Sequence, residues 1–355
     1  MSETVKILAE WLPDERTAAL VTSDLSLRHL CGFGLSRGLI LASKEESFLF
    51  VSESELEPVK EKARGFSVRV YTDTKQLLDI LIKHNIRRIF VESDKMTVRE
   101  FNFYADGLHY AKLDTSDTLS QKLAMMRAVK SEAELNAVRR AQLVCDKAYD
   151  KLLMSVRKGM SERQTAAMLS SFLIENGADE IMPRMRIASG ENSAKHYSKP
   201  TDRRLSDGDF LLVDFGAKAG GCWASMARTA VVGEISPKRE NIYNAVLCAV
   251  TDGLKALRAG TGAKVAESVA RATLNNWDID RYAKADFGHG TGLEFSEPPY
   301  LAADSTSMLK AGMTLVCGCE VTAPSRYGVK IADCVCVTDE GYINLTSATK
   351  SLVHI

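Results

Sequence analysis

The sequence has 355 residues, more than one hydrophobic core usually serves, so two domains are expected. Hydrophobic residues make up 45% and charged residues 26%, a balance that excludes a disordered chain and fits an ordinary globular one. Lys plus Arg and Asp plus Glu both number 46, so bulk charge gives nothing to attract nucleic acid or an anionic membrane.

Residues 1 to about 120 alternate short apolar runs with helical spacing. Thr17 to Thr22 is one such run. Leu39 to Ser43 and Ser47 to Ser52 read as two strands around the Lys44-Glu45-Glu46 turn. Val68 to Tyr71 is a further short strand. Thr74 to His84 has the helical spacing of Leu77, Ile80 and Leu81, and Arg88 to Glu92 reads as a buried strand. The alternation predicts an α/β domain. Ser131-x-x-Glu134 and Ser161-x-x-Gln164 are capping boxes, each opening a helix that ends near Gly159 and Gly177. Strand-like runs follow over 181–188, 210–215 and 224–232, with a hairpin signal at Gly220-Gly221. Helices are expected over 242–257 and 265–277, and three more strands towards the end. Antiparallel strands with helices on one side predict an α+β domain.

The eight cysteines lack the dense spacing of a disulfide scaffold. Cys317-x-Cys319 and Cys334-x-Cys336 place each pair on one strand face, which suits core thiols better than zinc ligands. The opening residues carry no basic region followed by an apolar run, and no stretch nears the roughly 18 apolar residues of a spanning helix. A cytoplasmic protein without a membrane partner is expected.

Several motifs recur in a fixed order: Lys130 to Leu135, Ser189 to His196, Gly208 to Ala217, Arg228-Thr229, Gly288 to Leu293, Gly312-Met313 and Gly328 to Asp333. In this order and separation they resemble the pita-bread family of aminopeptidase P, Xaa-Pro dipeptidase, methionine aminopeptidase and the metal-free creatinase. Leu27 to Phe33, followed by two strands, is similar to that family's N-terminal domain. The resemblance covers nearly the whole chain. It implies a creatinase-type α/β N-terminal domain, residues 1–122, followed by an α+β pita-bread domain, residues 123–355.

The peptidases of this family hold two divalent cations with two aspartates, one histidine and two glutamates. By resemblance the first aspartate falls on Asp214 and the histidine on His289. The second aspartate falls on Ser225, and the glutamates fall on Gly318 and Ala332. With one carboxylate of four remaining, two divalent ions would carry about three uncompensated positive charges, at several kcal/mol per ion. No metal cofactor is therefore expected, and these five positions are vestigial. Asp333 faces away from Ala332, whereas Glu320 shares a strand face with Gly318. The family's acid–base histidine falls on Ser296 and another active-site histidine on Ala285.

Creatinase hydrolyses a C–N bond without metal, and His196 lies where it has its catalytic histidine. Creatinase keeps acidic partners where this chain has Ala227 and Gly318, which argues against creatine as substrate. His196, in a polar loop, is expected to act as general acid–base or to meet a substrate carboxylate; the alternative is an exposed loop histidine. His289, between two glycines, is either a site residue or a hydrogen-bonded core histidine. Asp214 is expected to orient His289 or Arg228. Arg228 either forks a substrate carboxylate or closes an internal ion pair. Glu297 either holds a substrate ammonium or is a solvated carboxylate. Cys334 and Cys336 are core thiols or, less simply, nucleophiles.

Three functions are open. The first is a metal-independent hydrolase of a small amino-acid- or peptide-like C–N substrate, with His196, His289 and Asp214 catalytic. The second is a catalytically silent binder of a small molecule or short peptide. The third is a metal-dependent Xaa-Pro peptidase. The resemblance also implies a homodimer.

Overall fold

The computed structural model describes residues 3–283, 285–323 and 326–355, and the chain divides into two compact units, Met1–Arg127 and Ala128–Ile355. Among the described residues no helix is long and apolar enough to cross a membrane.

The first unit follows the order α1 (Glu3–Trp11), β1 (Thr17–Val21), α2 (Asp24–Cys31), β2 (Gly38–Ser43), β3 (Ser47–Val51) and α3 (Leu56–Lys62). It continues with β4 (Ser67–Val70), α4 (Thr74–Lys83), β5 (Arg88–Val91), α5 (Val98–Gly107), β6 (Lys112–Asp114) and α6 (Thr118–Ala128). The sheet order is β4-β3-β2-β1-β5-β6. Only β2 runs against the other strands of that order, since its pairings with β1 and β3 are antiparallel and the other three are parallel. The apolar runs of β1, β2 and β3 are buried along their length because helices cover both faces. One face packs Leu8, Leu27, Val59 and Leu123 from α1, α2, α3 and α6. The other packs Leu77, Leu81 and Tyr104 from α4 and α5. The α/β class expected of this region is observed. The expected cut after residue 122 lies within α6.

The second unit opens with α7 (Glu132–Ser155) and α8 (Glu162–Glu175), followed by β7 (Glu180–Ile181), β8 (Arg186–Ser189), β9 (Phe210–Ala219) and β10 (Cys222–Val231). Next come α9 (Pro237–Lys255), α10 (Ala263–Asn276), β11 (Gly288–Gly290), β12 (Glu297–Leu301), β13 (Thr314–Ala323), β14 (Tyr327–Val337) and β15 (Tyr342–Asn344). Among the described residues these strands form one nine-stranded sheet, ordered β12-β11-β13-β14-β10-β9-β7, with β15 on β14 and β8 on β9. The long strand expected over 181–188 is two short ones, β7 and β8.

Side-chain alternation assigns the faces. Leu211, Val213 and Phe215 of β9 and Ala224 and Met226 of β10 pack with α7 and α8. Leu315, Cys317 and Val321 of β13 and Ile331 and Val335 of β14 pack with α9 and α10. Both helix pairs therefore cover the same face, and the intervening residues of every central strand face the other way. That architecture is the pita-bread fold.

Both capping boxes form. The Ser131 hydroxyl accepts from Glu134 N, and the Glu134 carboxylate accepts from Ser131 N at 2.9 Å; Ser161 and Gln164 repeat the pattern. Ser131→Ala and Ser161→Ala should each lower stability by about 1 kcal/mol. The shift of the urea unfolding midpoint measures it.

Candidate active site

Strand register lays a row of residues across the uncovered face. Arg186 pairs with Asp214, Asp214 with Ala227, Ala227 with Ala332, and Ala332 with Gly318. Beside this row Lys330 pairs with Glu320, and His289 pairs with Val316. The centre is small and apolar, a cluster of Ala227, Val316 and Ala332. Charged groups gather at one end of it. Lys330 Nζ donates to Asp214 Oδ2 at 2.6 Å and lies 4.0 Å from Glu320 Oε2. Arg186 donates to Glu320 Oε1 at 2.6 Å, and both side chains are nearly inaccessible, at 4% and 3% exposure. Two carboxylates thus meet two side-chain cations, and the cluster is neutral without an outside ion. Burial disfavours the Lys330 ammonium, but Asp214 and Glu320 outweigh it and hold its pKa above the usual lysine range.

His196 reaches this cluster from the loop after β8. Its Nδ1 lies 3.4 Å from Glu320 Oε1, and its side chain is half exposed. The loop is fixed at both ends by one buried carboxylate. Glu162 accepts from Ser189 N at 2.7 Å, from the Asn192 amide, and from Thr201 N and hydroxyl at 3.0 and 2.6 Å. Arg186 also donates to Ser193 O at 2.6 Å, so one guanidinium ties the loop to Glu320. Tyr197, beside His196 and edge-on to it at 4.5 Å, is largely exposed.

His289 stands on β11 at the far side. Its Nδ1–H donates to Gly290 O at 2.8 Å, which leaves the lone pair on Nε2. Burial lowers its pKa, and Lys330 adds to that, against the raising influence of the Gly290 carbonyl and Asp214. Phe295 lies 5.9 Å from both the His289 and Trp223 rings and walls this end.

Comparison with known proteins identifies the chain. The model of metallopeptidase family M24 matches residues 136–339, more than half of the sequence, and that of the creatinase/prolidase N-terminal domain matches residues 10–129. The chain belongs to metallopeptidase family M24. It is 27% identical to an uncharacterized peptidase of Staphylococcus aureus (strain MW2) over 99% of this chain and all of that one. Among solved structures it resembles an Xaa-Pro dipeptidase from Bacillus anthracis at 26% identity, with a TM-score of 0.92 and coverage of 99% of this chain and 98% of that one. A prolidase from Pyrococcus horikoshii OT3 matches at 27% identity and a TM-score of 0.88, covering 99% and 100%.

Strand parity sets all five expected ligand positions of this M24 chain on the uncovered face: Asp214, Gly318 and Ala332 in the row, Ser225 two residues from Ala227, and His289 opposite Val316. Ser225 is buried opposite Gly216, where an added Cβ would meet Ala224 O, Ser225 Cβ and the Phe295 ring. A Cβ at Gly318 would lie 2.0 Å from the carbonyl oxygen of Ile331 and 2.5 Å from Ala332, so the strands close too tightly there for any side chain. Among the described residues no three His, Cys, Asp or Glu side chains converge as a metal-holding group.

Several expectations need correction. Asp214 orients neither His289 nor Arg228; its hydrogen bond is to Lys330. No hydrogen bond joins His196, His289 and Asp214 to one another among the described residues. Arg228 points to the helix-covered face, where it is 1% exposed. All five of its N–H donors are spent, on Thr349 O, Ala227 O, Ala332 O, Ala348 O and Asp333 Oδ1. It therefore has no donor left for a substrate carboxylate. Glu297 is likewise internal at 2% exposure, paired with the Lys130 ammonium and accepting from Glu294 N, so it cannot hold a substrate ammonium. Sequence reading passed over Lys330 and Arg186. The signal was available: Lys330 sits two residues before Ala332, on the same strand face.

Six of the eight cysteines are core thiols, and Cys31 is partly buried. Burial pushes those of Cys145, Cys317 and Cys334 far above their ordinary range and that of Cys319 up to about 12. Cys248 is exposed. In native protein a disulfide reagent should titrate Cys248 rapidly and leave the buried thiols until unfolding. Arg228→Met should destabilise by roughly 3–5 kcal/mol, because it strips Asp333 of a buried partner and orphans four carbonyls. Chemical denaturation reads this directly; an unchanged midpoint would return Arg228 to a binding role.

Proposed function

We propose that this chain is a hydrolase of a C–N bond in a small amino-acid- or peptide-like substrate, working without a two-metal centre. The observation that carries the reading is the Lys330 ammonium between Asp214 and Glu320, where it supplies positive charge to the one vestigial ligand carboxylate. The residues present do not fit two divalent cations. Gly318 and Ala332 offer no donors, and Asp214 is already neutralised.

Glu320 is positioned to orient the His196 imidazole through Nδ1, which leaves Nε2 as its other nitrogen. In the proposed step that nitrogen takes a proton from water as the water oxygen bonds to the substrate carbon. The same proton then passes to the departing nitrogen, and the C–N bond breaks. Lys330 stabilises the negative charge that develops on the substrate oxygen or nitrogen, and Arg186 holds Glu320 in place behind it. The small centre of Ala227, Val316 and Ala332 gives a substrate an apolar surface, and the Phe295–Trp223 end suits an apolar side chain.

A second reading is a silent binder of a small peptide-like ligand. It is favoured by the absence, among the described residues, of a hydrogen-bond relay from His196 to His289 and by the self-neutralised charges. Protein purified with manganese or cobalt present should hold well under two ions per chain, and EDTA should leave turnover of an amide, amidine and dipeptide panel intact. His196→Ala should then reduce that turnover by at least ~100-fold. Two tightly bound ions would overturn the metal-free reading. A ligand that raises the melting temperature without any turnover would give the site to binding alone.

A further inference from the structure

The first unit contains an open cavity of about 730 Å³, a size ordinary for small-molecule sites. It lies beyond the carboxyl ends of β1, β3 and β4, at Thr22, Ser52 and Thr72, where open α/β sheets bind ligands. Nothing in the reading of the second unit uses it. We propose that this cavity binds a small organic anion, a carboxylate or phosphate carried on a flat apolar ring.

Its walls supply both halves of that chemistry. Phe50 is fully buried and Tyr71 meets it edge-on, with ring centroids 6.2 Å apart; Phe103 and Tyr104 form a second edge-on pair at 5.2 Å. Phe103, more than half exposed, lines the cavity with an apolar ring. The Tyr71 hydroxyl is buried and has no hydrogen-bond partner among the described residues, so it presents an unused donor. Burial raises the pKa of Tyr71 and Tyr104, and the positive charge of Arg37, which lines the same cavity, opposes the rise in both.

Charge selects an anion over a cation. Arg37 and Arg99 line the cavity, and neither makes an ion pair among the described residues. Asp24 and Glu100 line it too, but each serves the start of its own helix. Asp24 sits in the first turn of α2, and the Glu100 carboxylate accepts from Thr97 N and hydroxyl at 2.8 Å each in the α5 capping box. The two guanidinium forks outnumber Asp24, the one lining carboxylate without a side-chain hydrogen bond among the described residues, and they match the bidentate geometry of carboxylate and phosphate oxygens.

Calorimetric titration of the full chain with 2-naphthoate, 2-naphthyl phosphate and neutral 2-naphthamide tests this. At least one of the two anions should bind with one site per chain, the better of them telling carboxylate from phosphate, and the amide at least ~10-fold more weakly. Joint Arg37→Gln and Arg99→Gln substitution should weaken the anion ~10-fold or more, and Tyr71→Phe should weaken it several-fold. Both arginines are exposed, so these changes leave the core intact. His196→Ala and Lys330→Met should leave binding unchanged. Four results would each overturn the proposal. They are no binding of either anion near 1 mM, equal binding of the amide, equal binding by the double variant, or loss of binding in Lys330→Met instead.

Discussion

The Lys330–Asp214 contact is what the uncovered face of the second unit is arranged around. A carboxylate in the middle of an apolar strand must meet a positive charge. Here that charge is on a tether from β14, two strands away in the sheet, and it arrives with every folded copy of the chain. The rest of the cluster follows from the same requirement. Glu320, cross-strand from Lys330, needs more charge than an ammonium 4.0 Å away provides, and Arg186 supplies it. Arg186 in turn reaches Ser193 and so fixes the segment that carries His196.

This chain of dependence links electrostatics to backbone order. The half-exposed imidazole of His196 is the most exposed member of the cluster, yet its segment is pinned by Glu162 at both ends and by Arg186 in the middle. The other helix-covered face makes a parallel arrangement with different members. Arg228 and Asp333 pair there, with Lys350 also on Asp333, and they hold the C-terminal segment against β10 and β14. Two buried charge networks therefore lie back to back across one sheet. Only the one on the uncovered face can meet a solute.

The sequence made the scaffold plain. Capping boxes at Ser131 and Ser161, the Gly220-Gly221 turn and the alternation of β9 and β14 each have a local physical cause and appear where expected. Helices α1, α2 and α6 were less legible because their apolar faces are short and their stability comes from packing on the sheet. The site was half legible. Asp214, His196 and His289 lie on or beside the uncovered face, as strand parity implies. Arg228 and Glu297 show the limit. A charged residue near a motif looks available in the sequence, but its partners at positions 333 and 130 come from remote strands and segments. The role of Lys330 was hidden for the same reason, since its partner is more than a hundred residues away in the chain.

Gly318 limits what the uncovered face can acquire. The backbone of β13 approaches β14 so closely there that a new side chain would strike the main chain of Ile331 and Ala332 before it reached the centre of the face. A glutamate at this position would be a packing fault first, whatever it offered chemically. Any change that sets a carboxylate there must be accompanied by others that part the two strands.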